Sequence, residues 1–104
     1  MRCRFAPSPT GKIHIGNARS AILNWIFCKQ YKGEFILRID DTDNSRSSKE
    51  FENAIKSDLK WLGVDWSYTF NQSSRNEIYN EKINILKNDK RLYPCFETEE
   101  ELAL

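Results

Sequence analysis

The chain opens on an alternating pattern and then changes period. Cys3 and Phe5 alternate with Arg2 and Arg4, which predicts a short strand. Pro7, Pro9 and Gly11 then interrupt any regular structure. Beyond them Ala18, Ala21, Ile22, Trp25 and Ile26 recur at i, i+3, i+4, i+7 and i+8, one face of an amphipathic helix. Lys29 and Lys32 bring positive charge to its last carbonyls, and Gly33 is expected to end it as a left-handed cap residue. From Glu34 to Ile39, Phe35, Leu37 and Ile39 share one face and Ile36 takes the other, a second strand. Strand, helix and strand within residues 2–39 predict a βαβ unit with parallel strands.

Downstream, Ser47-x-x-Glu50 has capping-box spacing and opens a helix with Phe51, Ala54, Ile55, Leu59 and Leu62 inward and Gly63 as its stop. A third helix is expected from Asn76 to Lys87, with Ile78, Tyr79, Ile83 and Leu86 on its apolar stripe. The aromatic residues between them, Trp61, Trp66, Tyr68 and Phe70, read as packing between elements rather than a base-stacking surface. Thr98-Glu99-Glu100-Glu101-Leu102 carries the cap and first-turn acids of a helix start. A single turn is not stable by itself, so the chain is expected to be cut from something longer.

Composition narrows the class. With 104 residues the chain is one small domain or a piece of a larger one. Sixteen basic residues against fifteen acidic ones leave a net charge of +1, so no overall field announces nucleic acid. Lys82, Lys87, Lys90 and Arg91 are the remaining basic group, read as a solvated helix face in preference to an RNA contact. Cys3, Cys28 and Cys95 have no paired spacing and are expected to be reduced thiols of a cytoplasmic protein. Neither a signal peptide nor a membrane span is legible, so no membrane partner is expected.

Two loops carry the candidate chemistry. The segment from Ala6 to Asn17 joins the first strand to the first helix, at the carboxyl edge of a parallel sheet, where ligands bind and the helix N-terminus favours anions. Gly11 and Gly16 permit close backbone approach, His14 can donate to phosphate oxygens, and Asn17 can cap the helix. Asp40-Asp41-Thr42-Asp43 follows the second strand and falls on the same edge. These acids could meet an ammonium group, bind a ribose hydroxyl or cap a turn. Taken without context, His14 is more often structural and the aspartates a solvated turn.

Arg4-Phe5-Ala6-Pro7-Ser8-Pro9-Thr10-Gly11 with His14-Ile15-Gly16-Asn17 resembles the first signature of the glutamyl-tRNA synthetases of class I, and Leu37-Arg38-Ile39-Asp40-Asp41-Thr42-Asp43 is similar to that family's Arg-Ile-Glu-Asp-Thr-Asp. Gln72-Ser73-x-Arg75 and Tyr93-Pro94-Cys95 resemble later segments, so the likeness covers essentially the whole chain. It implies an α/β, partial Rossmann-like nucleotide-binding fold, with residues 1–104 the N-terminal portion of the catalytic domain. It implies ATP-dependent attachment of glutamate to tRNA(Glu), with ATP as substrate, Mg2+ accompanying it and the remainder of the synthetase as partner. Ser8, Thr10, Gly11, His14, Gly16 and Asn17 would face ATP, with His14 catalytic through charge stabilisation on the phosphates. Arg4, Ala6, Ser8 and Asp40 would hold glutamate, Asp40 standing where the family has a glutamate one methylene longer.

No metal ligand is expected in this chain. Some relatives bind zinc near the Tyr-Pro-Cys segment through a second cysteine, but that position here is Glu97. The lysine- and serine-rich second signature of the family has no counterpart in these residues, nor does an anticodon-binding domain. The 104-residue chain alone is therefore expected not to charge tRNA. The alternatives are a non-catalytic remnant that binds nucleotide or amino acid, and a relative that glutamylates a modified tRNA nucleoside (glutamyl-queuosine-tRNA synthetase).

Overall fold

A computed structural model describes residues 1–103. Strands β1 (Arg2–Phe5), β2 (Glu34–Ile39) and β3 (Tyr68–Asn71) form one parallel sheet in the order β1-β2-β3. Helix α1 (Ile15–Gln30) links β1 to β2, and α2 (Lys49–Trp61) links β2 to β3. The expected βαβ unit is present, and a second follows it. Strand β3 lies in the aromatic segment that the sequence pattern assigns to packing. Its alternation of Tyr68 and Phe70 with Thr69 and Asn71 is a strand signal, obscured by the neighbouring tryptophans.

Alternation decides what each sheet face does. Phe5, Phe35, Leu37 and Ile39 are buried with Ala21 and Cys28 of α1, Ile55 and Leu59 of α2, and Val64. Complete burial of side chains such as Leu37, Ile39 and Leu59 stabilises by about 1.5–3 kcal/mol each. Arg2, Arg4, Glu34, Ile36 and Arg38 occupy the opposite face, where Arg2 Nε and Glu34 Oε2 pair across the strands at 2.6 Å.

The helices correct four expectations. Ile26 sits at the margin of the α1 stripe and is 49% exposed, while Cys28 takes an inward position. Gly33 does not adopt the left-handed conformation; Lys32 does, at φ 49°. Lys32 N donates to the Lys29 carbonyl and Gly33 N to that of Cys28, so the helix ends in a Schellman motif with lysine where glycine is usual. Gly33 serves close approach instead, since a Cβ there would stand 2.6 Å from the Met1 carbonyl oxygen. Helix α2 is capped by Ser48, one residue later than expected, with its Oγ accepting from Phe51 N at 3.1 Å. Trp61 is 85% exposed, and of the four aromatics Trp66 is the one packed against the core.

Residues Met1–Ser74 and Arg75–Leu104 form separate compact units. The second contains α3 (Asn76–Asn88) and the short α4 (Glu99–Leu102). Its first helix also ends on a left-handed lysine, Lys90, with Arg91 N bonded to the Leu86 carbonyl. Thr98 caps α4 reciprocally with Glu101, as the capping-box spacing predicts. Lys82, Lys87, Lys90 and Arg91 are all exposed. No helix among the described residues is long and apolar enough to cross a membrane.

Candidate active site

The loop after β1 encloses a concavity of about 640 Å³ at the carboxyl end of that strand. Ala6, Ser8, Thr10, Gly11, His14 and Asn17 line it, with Phe5 and Ile55 among the residues at its floor. Two prolines tie the loop down through their carbonyls. Pro7 O accepts from Asp40 N and Pro9 O from Ser48 N, each at 3.0 Å, so the two loops at this edge are joined by backbone bonds.

His14 is the N-cap of α1, a role that the sequence pattern assigns to Asn17. Its Nδ1 accepts from Gly16 N at 3.1 Å, and its own N–H donates to Asn17 Oδ1 at 3.4 Å. An accepting Nδ1 places the proton of the neutral ring on Nε2, leaving that nitrogen as a donor. Gly16 is required for this arrangement, because a Cβ on it would stand 2.9 Å from His14 Cε1 and 3.1 Å from Nδ1. The His-x-Gly spacing is thus a packing rule: the imidazole folds back over the first turn only if the residue two positions on has no side chain. His14 and Asn17 both line the concavity, so the ring stands at the positive end of the helix on its wall, a setting suited to anionic oxygens.

The second loop has three aspartates, each with a different set of partners. Asp40 is held by Arg38, Nε to Oδ1 at 2.6 Å and Nη2 to Oδ2 at 2.8 Å. Asp41 turns toward β3 and accepts from Ser73 N at 2.9 Å, Ser73 Oγ at 2.7 Å and Asn71 Nδ2 at 2.9 Å. Burial acts to raise its carboxyl pKa, but the Ser73 and Asn71 hydrogen bonds outweigh it and hold the group below the usual range. Asp43 closes its own turn, accepting from Ser45 and Arg46, and these bonds hold its carboxyl at about 2.

Glu52 of α2 completes this network. It is 4% exposed and accepts from Lys56 at 2.6 Å, from Lys49 at 3.0 Å, and from the Asn71 amide that also serves Asp41. Desolvation alone would raise its carboxyl; the hydrogen bonds from Lys56, Lys49 and Asn71 prevail and hold it at about 2. Arg38 and Ser73 fall inside the segments that resemble the family but carry no legible role there, and Glu52 and Asn71 shape the site without any signal in the sequence that singles them out. Lys49-x-x-Glu52-x-x-x-Lys56 has the spacing of a surface ion-pair ladder, and only the fold turns its acid inward.

The proposed ATP-facing residues Ser8, Thr10, Gly11, His14 and Asn17 therefore meet at one concavity, with Gly16 under the His14 ring. Of the proposed glutamate-facing set, Ala6 and Ser8 line the same concavity. Arg4 is exposed on the sheet face opposite the helices, and Asp40 lies beyond β2 against Arg38 of that same face. Among the lining residues of the concavity there is no carboxylate, so it supplies no ligand set of its own for Mg2+. Cys95 Sγ lies 3.1 Å from Glu97, the residue in place of a second cysteine.

The whole chain, residues 1–104, matches the family model described as tRNA synthetases class I (E and Q), catalytic domain. It is 56% identical over 101 residues to glutamate–tRNA ligase 1 of Rickettsia massiliae (strain Mtu5), and equally to that of Rickettsia prowazekii (strain Madrid E). In both comparisons 97% of this chain is covered and 23% of the relative, so the chain spans about a quarter of their length. Among solved structures it superposes on a glutamate tRNA ligase from Elizabethkingia meningosepticum CCUG26117 in complex with its amino acid, at TM-score 0.84 and 35% identity, covering 99% of this chain and 22% of that one. The glutamate-tRNA synthetase of Elizabethkingia anophelis gives TM-score 0.85 at the same identity, with 99% and 23% covered. The parallel α/β sheet is thus the Rossmann-like one of these enzymes, and the chain belongs to the class I tRNA synthetases of the E and Q type, within their catalytic domain.

Proposed function

We propose that this segment forms the ATP-binding part, and some of the glutamate-binding part, of an enzyme that attaches glutamate to tRNA(Glu). The observation that carries the reading is the convergence of Ser8, Thr10, Gly11, His14 and Asn17 on one concavity at a helix N-terminus, in a chain 56% identical to glutamate–tRNA ligases. In this reaction the carboxylate of glutamate attacks the α-phosphorus of ATP, pyrophosphate leaves, and the tRNA ribose then takes the glutamyl group from the adenylate. His14, with Nδ1 engaged by Gly16, offers Nε2–H to a phosphate oxygen as charge builds in the transition state. Ser8 and Thr10 supply hydroxyl donors beside it. Mg2+ would arrive on the phosphates of ATP and neutralise their charge. The segment works with the remainder of a longer synthetase in the cytoplasm, because positioning catalysis requires both reactants to be held.

Two substitutions at one position test this. In the full-length protein containing the segment, His14→Ala is expected to lower glutamate-dependent ATP–pyrophosphate exchange by at least about tenfold, or 1.4 kcal/mol. His14→Asn retains a capping side chain but not the ring, and is expected to restore stability without restoring the rate. Equal exchange rates for wild type and both variants would remove His14 from the mechanism. Robust charging of tRNA by the isolated 104-residue chain, abolished by His14→Ala, would overturn the requirement for the remainder.

A further inference from the structure

Arg38 belongs to neither loop, yet it governs a residue of the second. It is the penultimate residue of β2, and alternation along the strand places it two positions before Asp40 on the same side. The guanidinium meets the carboxylate fork to fork, at 2.6 Å and 2.8 Å. The two side chains are 20% and 27% exposed, so most of the pair is withdrawn from solvent. The backbone of Asp40 is fixed separately, its N–H donating to the Pro7 carbonyl in the loop after β1. Both the main chain and the carboxylate of this one residue are therefore anchored, at the seam where the two candidate loops meet.

We infer that Arg38 is a positioning residue for Asp40, fixing the plane of its carboxylate so that the lone pairs left open by the fork receive the α-ammonium group of an amino acid. The inference rests on the proposed function, in which this segment forms part of the glutamate site, and on the family resemblance, which implies that Asp40 stands where a glutamate meets the α-amino group of the substrate. A free aspartate side chain rotates about two bonds, and a shorter acid cannot compensate by bending. A bidentate partner removes that freedom, whereas a lysine would neutralise the charge but leave the carboxylate plane unset. An ion pair that only braced the surface would contribute little and would not distinguish one cation from the other.

The test is glutamate-dependent ATP–pyrophosphate exchange in the full-length protein containing this segment, with Asp40→Asn, Arg38→Lys and the double variant. Asp40→Asn is expected to raise the KM for glutamate by about tenfold or more, since it loses a charge-assisted bond to the amine. Arg38→Lys is expected to raise the same KM by about tenfold with kcat within about threefold and KM for ATP unchanged, and the double variant to be no worse than Asp40→Asn alone. Arg38→Gln, with a donor but no fork, should behave as the lysine variant does and serves if that one is poorly folded. A normal glutamate KM in Asp40→Asn would overturn the assignment of Asp40 itself. A raised KM in Asp40→Asn with a normal one in both Arg38 variants would overturn the positioning role alone, as would a fall in kcat and melting temperature without any change in KM.

Discussion

The loops that follow β1 and β2 sit side by side at one sheet edge but are held by opposite means. The end of the first that carries His14 is organised locally: His14, Gly16 and Asn17 satisfy one another within one helical turn, while Pro7 and Pro9 tie the start of the loop to Asp40 and Ser48 through their carbonyls. The second is organised from a distance. Asp41 is bonded to Asn71 and Ser73, thirty and thirty-two residues away, and Glu52 joins through the same Asn71 amide. A loop built from neighbours keeps its shape when the rest of the fold loosens. One built from β3 and α2 is only as stable as their packing, so the two are expected to respond differently to the same insult.

The largest effect should come from Glu52. Glu52→Ala leaves Asn71 with one acceptor in place of two and removes the partner of Lys56 and Lys49, and is expected to cost on the order of 3 kcal/mol in chemical denaturation. The same carboxylate sets an acid limit. Its folded pKa of about 2 lies below the ordinary 4.5, so its stabilisation is present above pH 4.5 and lost as pH falls through about 2. Denaturation midpoints measured from pH 6 down to pH 2 should fall in the wild type and fall less in Glu52→Gln. Parallel profiles for the two proteins would show that Glu52 does not set the limit.

Asp41→Ala should cost somewhat less, on the order of 2 kcal/mol, because Ser73 and Asn71 can reach water in part. Its value lies in contrast. Amide resonances of Asp41, Asn71 and Ser73 should shift, while those of His14, Gly16 and Asn17 stay close to wild type. Equal disturbance at both loops would break the distinction between local and distant organisation.

The smallest change in stability should come from the first loop. Gly16→Ala gains helix propensity but pushes the His14 ring off the first turn, so the net change is expected within about 1 kcal/mol. The imidazole should nonetheless leave its Gly16 hydrogen bond, visible as a change in the His14 Nδ1 chemical shift. An undisturbed ring would mean that the His-x-Gly spacing has no steric basis.

Much of the molecule is legible in its residue pattern. Cys3 and Phe5, the stripe from Ala18 to Trp25, and the alternation of Phe35, Leu37 and Ile39 identify β1, α1 and β2 because each pattern is a local consequence of helix or strand period. The loop from Ala6 to Asn17 is legible for the same reason, since its prolines, glycines and capping residues act over one turn. Helix ends are less so. Two of them close on Lys32 and Lys90 in the left-handed region, where glycine is the common choice, and the hydrogen bonds of the Schellman motif hold the conformation despite the side chain.

What the sequence by itself determined was the strand, helix and strand of the first βαβ unit and the identity of the loop carrying His14, because each is set by residues within a few positions of one another, and the parallel pairing then follows from the general rule for such crossovers. Only the tertiary structure decided the fates of Asp40, Asp41 and Asp43, neighbouring acids with the same chemistry. One is held by an arginine on the strand, one is drawn to β3, and one closes its own turn. It also decided that Glu52 is buried rather than part of a surface ladder. The physical reason is that a carboxylate's role follows from which donors lie within about 3 Å of it. For Asp41 and Glu52 those donors come from strands and helices that the fold alone brings together.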